Sequence, residues 1–369
     1  MRAKTIQIAI GLMSGTSLDG VDAALIRTDG EGFVEPIGFI SEAYSPALRE
    51  ALRSCFGKEH LDAAGKEAER QMTRFHAKLV KNLMNRHPEY IPDIIGFHGQ
   101  TILHDVPRKI TVQIGDANFL ARETGVDVVH DFRSADVLAG GQGAPLAPLY
   151  HAARASQDGL DKPVAFLNIG GVANITWIGP GSDEFIAFDT GTGNAMMDDY
   201  AKKTLGMDYD PDGVFASRGQ VDDLILLEWM SDPYFKKQPP KSLDRNEWDI
   251  AAMGPLAKGL VGLSAEDALA TLMEFSVQGI LNGVDLLPLV PNAIYVSGGG
   301  RHNNALMKRL YDELCCDIYP VERLGWDGDA TEAECFGFLA VRSLKGLPIS
   351  YPGTTGVPEP MSGGKISGA

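Results

Sequence analysis

Cysteine is scarce in this chain: four occur in 369 residues, Cys55, Cys315, Cys316 and Cys335, and none is part of a C-x-x-C pair. That removes zinc-ribbon and thioredoxin-type readings. In a chain of this size it also disfavours a disulfide framework, leaving reduced thiols in a cytoplasmic protein. Long apolar runs are missing too. No stretch approaches the roughly 18 residues that a membrane span needs. The apolar run from Thr5 to Leu12 meets Gly11 and Ser14 without an A-x-A cleavage site, so it reads as a first buried strand rather than a signal peptide. Positive charge is in short supply: 33 Lys and Arg against 49 Asp and Glu leave a net charge of −16. Neither nucleic acid nor an anionic membrane surface is the expected partner of such a chain. No G-x-x-x-x-G-K-[ST] occurs, which excludes an ordinary P-loop kinase, and no G-x-G-x-x-G, which leaves a dinucleotide fold little support. His98, His104, His130 and Asp131 match neither H-E-x-x-H nor a zinc-finger spacing.

What remains is a chain that is 44% hydrophobic and 22% charged, long enough for about two domains. Short apolar runs alternate with longer amphipathic segments, the pattern of an α/β protein. The runs predict strands at Ile6–Leu12, Val21–Arg27, Ile94–Phe97, Ile110–Ile114, Val126–His130, Val164–Ile169, Ala173–Ile178, Phe185–Phe188 and Ala293–Val296. Helices are expected at Pro46–Phe56, with Ser45 as cap, and at Leu61–Asn85, Asn194–Leu205, Val221–Trp229, Ala265–Leu286, Asn303–Cys316 and Ala330–Leu344. The stretch GGQGAPLAP from Gly140 to Pro148 is the expected boundary between halves, and the tail from Tyr351 reads as loop that packs on the first half or frays.

Five segments could carry chemistry, and the first of them has a repeat. Gly11–Asp22 reads as strand, small-residue turn, strand. Ser14, Gly15, Thr16 and Ser17 offer donors to phosphate oxygens, and Asp19 and Asp22 could hold Mg²⁺ or a sugar hydroxyl; a plain tight hairpin explains the same residues. Leu167–Ile178 repeats the strand, glycine turn, strand idea about 155 residues later. In FDTGTGN, Asp189 ends an apolar strand just before a helix, where it could act as a base or simply cap that helix. The three glycines of VSGGGRHN let a ring or phosphate lie on backbone, or form a plain connection. Around GFHGQTILH, His98 and Gln100 could bond a polar ligand, with Arg133 as a fork for a carboxylate, or be ordinary hydrogen-bonding residues. Glu332 and Glu334 open a helix, where acids are stabilising for dipole reasons alone.

In order, GLMSGTSLDGVD, GFHGQTILH, FRSADVLAGGQGAPL, LNIGGVANIT, FDTGTGNAMMD, VSGGGRHN and GDATEAECFGFLA resemble the anhydro-N-acetylmuramic acid kinase family, over nearly the whole chain from Gly11 to Ala340. The resemblance implies two ribonuclease-H-like domains of the actin-like ATPase kind flanking a nucleotide cleft: residues 1–139 with 345–369, and residues 140–344. It implies ATP and Mg²⁺, and a reaction in which water opens the 1,6-anhydro bridge while O6 receives the γ-phosphoryl group, yielding N-acetylmuramic acid 6-phosphate and ADP in cell-wall sugar recycling. Asp189 would be the base. ATP would meet Gly15, Thr16, Ser17, Leu18, Asp19, Gly20, Val21 and Asp22, then Asn168, Gly170, Gly171 and Asn174, with Gly298, Gly299 and Gly300 as the adenosine turn. His98, Gln100, Arg133, Asn194 and Glu332 would contact the sugar, Arg133 taking its lactyl carboxylate. The first hairpin departs from the superfamily's D-x-G-[GT]: Met13-Ser14-Gly15-Thr16 stands there, with the acids displaced to Asp19 and Asp22, so no metal ligand is assigned. A kinase for another anhydrosugar such as levoglucosan is the alternative, and an ATP-driven chaperone or filament protein a more distant one. A homodimer is the expected assembly.

Overall fold

The first apolar run forms β1 (Gln7–Ser14), which turns tightly into β2 (Gly20–Thr28) and then β3 (Val34–Ala43), all antiparallel. In this computed structural model, which describes residues 5–181, 184–243 and 259–369, two compact units are present: Met1–Leu160 with Asp329–Ala369, and Asp161–Gly328. In the first unit β4 (Ile94–Asp105) lies parallel to β1, and β6 (Val128–His130) parallel to β4. β5 (Ile110–Ile114) pairs back on β4, and β12 (Lys365–Ser367) closes the far edge against β6. The sheet order is β12-β6-β4-β1-β2-β3.

The second unit repeats this order. β7 (Val164–Ile169), β8 (Val172–Ile178) and β9 (Phe185–Thr192) form an antiparallel meander. β10 (Ala293–Ser297) then lies parallel to β7, and β11 (Asp317–Pro320) parallel to β10, giving β11-β10-β7-β8-β9. In each unit, three antiparallel strands are followed by two that add in parallel beside the first, the strand plan of the ribonuclease-H-like fold. The duplication visible only faintly in sequence is thus plain in topology.

Helices cover the sheets. In the first unit α1 (Pro46–Arg53), α2 (Ala63–Arg86) and α3 (Ala117–Thr124) bury Leu52, Met72, Val80 and Leu120 in the same core as Ile10, Leu25 and Phe97. The unit also holds α4 (Ser134–Leu138) and α5 (Pro148–Gln157). In the second unit come α6 (Ala195–Leu205), α7 (Asp223–Met230), α8 (Ala265–Asp285) and α9 (Asn304–Glu313), with Leu269, Phe275 and Leu306 buried beside Leu167, Ile175 and Phe188. The chain then returns to the first unit as α10 (Thr331–Leu344), which packs on β1, β2 and β4. Caps read from sequence are present: the Ser45 Oγ accepts from the Leu48 amide, and Ser264 from that of Asp267. Among the described residues no helix is long and apolar enough to cross a membrane.

The unit boundaries fall at 160/161 and 328/329, not at the expected 139/140 and 344/345. For the first boundary the reason is hydrogen bonding. The Gly140–Pro145 stretch is stitched to the first unit: the Gly143 amide donates to Asp136 Oδ1, the Gln142 amide to the Thr355 carbonyl at 2.6 Å, and the Thr355 hydroxyl to Asp136 Oδ2. A glycine-rich run bound in this way is structure, not linker. The tail packs on the first unit, as one of the two expected outcomes had it, and adds β12.

α10 joins the first unit by close contact. A methyl group at Gly11 would stand 1.8 Å from the Ala333 carbonyl oxygen, and one at Gly96 2.0 Å from that of Phe336. These glycines let the helix backbone rest directly on the sheet. Gly11→Ala is expected to cost about 3 kcal/mol or more, because the clash is with backbone that no rotamer can move. Gly32→Ala, with open space around the added carbon, should stay within about 0.5 kcal/mol of wild type. Urea midpoints of the two variants test this; equal midpoints would refute it.

Candidate functional site

The residues singled out in sequence fall into two sets, one in each unit. In the first unit the β1–β2 turn is Gly15 to Asp19. Leu18, fully buried, takes φ 60°, and its amide closes the turn on the Gly15 carbonyl at 3.1 Å. A leucine in the left-handed region costs energy that the surroundings must supply, as at many ligand-holding turns. Thr16, Ser17 and Asp19 are exposed; Gly15, Gly20 and Asp22 are half-buried and Val21 is buried. Beneath the turn runs a neutral chain of polar groups. The Ser14 Oγ donates to Gln100 Oε1 at 2.7 Å and lies 2.9 Å from the Tyr44 hydroxyl, while Gln100 Nε2 donates to the carbonyls of Gly15 and Thr101. Gln100 is fully buried, so its amide holds the hairpin in place.

Burial and the nearby Arg133 charge hold the His98 imidazole well below the usual histidine range. It is therefore neutral: Nδ1 donates to the Gly99 carbonyl at 2.9 Å, and Nε2 accepts from Arg133 Nε at 3.1 Å and Nη2 at 3.0 Å. Arg133 Nη1 also donates to the Gly143 carbonyl at 2.6 Å. Three N–H groups thus fix the plane of a half-buried guanidinium. Glu332, exposed near the start of α10, has its carboxyl raised by the protein packed around it and by Asp22, with Arg133 acting the other way. Asp22, Arg133 and Glu332 therefore share one electrostatic neighbourhood. Glu334, on the same helix, is buried in a separate bond set with Arg154 at 2.9 Å and the Tyr150 hydroxyl.

His104 and His130 are satisfied by other bonds: His104 by Thr111 and the Gln142 carbonyl, His130 by Ser367. Among the described residues no group of three or more His, Cys, Asp or Glu could hold a metal ion.

In the second unit one row crosses four strands. Ser297 of β10 is in register with Asn168 of β7, which faces Asn174 of β8, which faces Asp189 of β9. Beside it the amides of Gly193 and Asn194 donate to the carbonyls of Gly171 and Gly170 at 2.9 and 2.7 Å, tying the FDTGTGN segment to the glycine turn. The Ser276 hydroxyl, reaching from α8, donates to the Gly193 carbonyl at 2.8 Å. The glycine run follows: Gly298 has φ 76°, and a side chain there would meet Asn168 Oδ1 at 2.3 Å. Arg301, almost fully buried, braces the run by donating to the Gly298 carbonyl at 2.9 Å and to Glu322 at 2.8 Å. Asn194 Nδ2 donates to the Ile169 carbonyl, and Gly299 and Gly300 lie against the Asn194 amide.

Asp189 sits inside β9, and Asn194 occupies the cap position of α6, so Asp189 is not that helix's cap. Its side chain is 8% exposed and Oδ2 accepts from the Leu243 amide at 2.8 Å. Its own amide donates to the Lys241 carbonyl and its carbonyl accepts from the Tyr234 hydroxyl. Sequence reasoning passed over Tyr44, Ser276, Arg301, Tyr234 and Lys241. Arg301 stands in VSGGGRHN, where the glycines drew the attention; the other four lie outside the glycine-rich motifs, and only the Pro239-Pro240 punctuation marked the segment before Lys241.

Neutral buried histidines make the first unit sensitive to acid. His76, buried against Phe97, is lowered to about 4 by desolvation. The unfolded chain takes up that proton near pH 6.5, the folded one only near 4, so stability falls as pH drops through that window. The loss attributable to His76 reaches about 3 kcal/mol by pH 4. Replacing it in His76→Phe should make the slope of stability against pH shallower by up to about 1.4 kcal/mol per pH unit between 6.5 and 4. Denaturant titrations across that range measure it, and an unchanged slope would remove His76 from the account.

The model of the family described as anhydro-N-acetylmuramic acid kinase matches residues 7–368. The chain is 48% identical over 368 residues to the anhydro-N-acetylmuramic acid kinase of Rhizorhabdus wittichii, covering 98% of each chain. It is 50% identical over 364 residues to that of Acidiphilium cryptum, covering 97% of each. With the doubled strand plan and the glycine turns at the strand ends, these matches show that the chain belongs to the anhydro-N-acetylmuramic acid kinase family.

Proposed function

We propose that this kinase uses MgATP to convert anhydro-N-acetylmuramic acid and water to N-acetylmuramic acid 6-phosphate and ADP, with Asp189 as the base. The observation that carries this reading is the placement of Asp189: a carboxylate in a strand, nearly buried, with one oxygen pinned by the Leu243 amide. Such a group is oriented before substrate arrives, so no reorganisation is left for the reaction step. Water attacks the anomeric carbon and gives its proton to Asp189. The bond from that carbon to O6 breaks, O6 takes the γ-phosphoryl group, and the bond from the γ-phosphorus to ADP breaks. Asp189 then releases its proton to solvent.

In the first unit the exposed hydroxyls of Thr16 and Ser17 and the backbone of Gly15 to Asp22, and in the second the backbone of Gly170–Gly171, are each suited to spread phosphoryl charge. Asn168 and Asn174 extend the polar row, and Gly298 to Gly300 offer bare backbone to the adenosine. No residue is assigned to hold Mg²⁺; bound with ATP, the ion would supply charge neutralisation for the phosphoryl group. Arg133 meets the lactyl carboxylate, while His98 and Gln100 serve by holding Arg133 and the hairpin. Glu332 and Asn194 complete the sugar contacts. We place the reaction in the cytoplasm, where ATP is available, as a step in reuse of cell-wall sugars.

The decisive assay supplies ATP, Mg²⁺, anhydro-N-acetylmuramic acid and ¹⁸O-labelled water with early quenching. The label should appear at the anomeric hydroxyl of the 6-phosphorylated product. Asp189→Asn should lower turnover about a hundredfold or more while binding persists. Unlabelled product, or full activity in the variant, would refute the assignment. Arg133→Ala should raise KM for the muramic substrate tenfold or more and leave turnover of levoglucosan, which lacks the carboxylate, unaffected; equal losses on both sugars would overturn its role.

A further inference from the structure

The surroundings of Asp189 contain a group that the reaction scheme leaves unused. Lys241 follows Pro239-Pro240 and is 4% exposed. An ammonium taken this far from water needs an opposite charge, oriented dipoles or aromatic faces to offset the loss of hydration. Lys241 has all three. Its Nζ donates to the Tyr234 carbonyl at 3.3 Å, and it lies 4.5 Å from the Tyr234 ring centroid and 5.8 Å from that of Phe188. Burial and the neighbouring Lys237 lower its pKa to about 8, and the charge that opposes them is that of Asp189.

The main chain adds a second link. The Asp189 amide donates to the Lys241 carbonyl at 3.0 Å, and two residues on, the Leu243 amide holds Asp189 Oδ2 at 2.8 Å. Tyr234, which the ammonium covers, donates its hydroxyl to the Asp189 carbonyl at 2.5 Å. Backbone, ring and charge therefore converge on one residue from one short segment.

We propose that Lys241 is the positioning residue for Asp189: its ammonium stacks Tyr234 and the 241–243 backbone against β9 and holds the neighbouring carboxylate correctly aimed. Lys241 touches neither sugar nor nucleotide in this scheme; it acts through Asp189. The inference rests on Asp189 being the base. A lysine that merely fills space would serve equally well as an apolar side chain of the same length.

The test is a double-mutant cycle on the full chain, with kcat and both KM values measured for wild type, Lys241→Met, Asp189→Asn and the double variant. Lys241→Met is expected to lower kcat tenfold or more, with KM for ATP and for the sugar within about twofold of wild type and an unchanged melting temperature. Lys241→Arg should recover most of the loss. In the Asp189→Asn background, Lys241→Met should cost less than twofold, because the group it positions is gone. A kcat within twofold of wild type for Lys241→Met, or the same fractional loss in both backgrounds, would overturn the proposal. Should Lys241→Met fail to fold, Lys241→Gln, which keeps a donor for the Tyr234 carbonyl without the charge, is read in its place. Full activity of Asp189→Asn alone would instead overturn the base assignment.

Discussion

The contact of α10 with the first sheet is the constraint on which that unit's chemistry depends. Gly11 lies under Ala333, and Glu332, the preceding residue, is thereby set in the electrostatic field of Asp22 and Arg133. A helix held off the sheet by a single methyl group would carry Glu332 away with it. Backbone-on-backbone packing of this kind is rigid, because neither partner has a side chain to rotate. It also decides the unit boundary, since a helix with no space beneath it belongs to the sheet it lies on.

From that base the polar groups form a graded series. Ser14, Tyr44 and Gln100 are neutral, buried and mutually bonded, and they fix the carbonyl of Gly15. His98 is neutral as well, and in that state its Nε2 can accept from Arg133; a protonated ring would repel it. The low pKa and the geometry are thus one fact seen twice. Each neutral group supports a charged or exposed one, so the groups facing outward are held by groups that do not titrate near neutrality.

Much of this was legible in sequence, and the part that was not has physical causes. The meander strands β1, β2, β7 and β8 show apolar runs bounded by glycine, and the caps Ser45 and Ser264 announce their helices. β3 was hidden because Pro36 and Gly38 interrupt it; as an edge strand with a register shift opposite Pro36 it tolerates what a central strand would not. Of the helices missed, α4 at five residues holds too few turns to display a period, and α5 begins at Pro148, the last residue of the stretch read as a boundary. Asp189 stood out in sequence because an apolar run followed by glycines is a pattern. His98 and Gln100 could be found as residues but not as supports, since whether a polar group faces a ligand or a neighbour depends on contacts far apart in the chain.

The doubled strand plan makes the two sets of site residues comparable, and the comparison shows how one scaffold carries different chemistry. Ser14 ends β1 opposite Gln100 of β4; in the second unit Asn168 occupies the like place on β7, opposite Ser297 of β10. Both pairs are neutral hydrogen-bonding groups beside a tight turn, so this much of the design is shared. The carboxylates differ. In the first unit the acid on the meander is Asp22 of β2, half-buried and coupled to Glu332. In the second it is Asp189 of β9, at the strand position where the 241–243 segment can cover it. β9 is an edge strand, and only an edge has backbone groups left to receive another segment. An acid on the middle strand, β8, would have both sides occupied by the sheet. The edge position thus lets a non-sheet segment reach the carboxylate through the Leu243 amide, and it explains why the pinned acid is on the third strand of its meander and not the second.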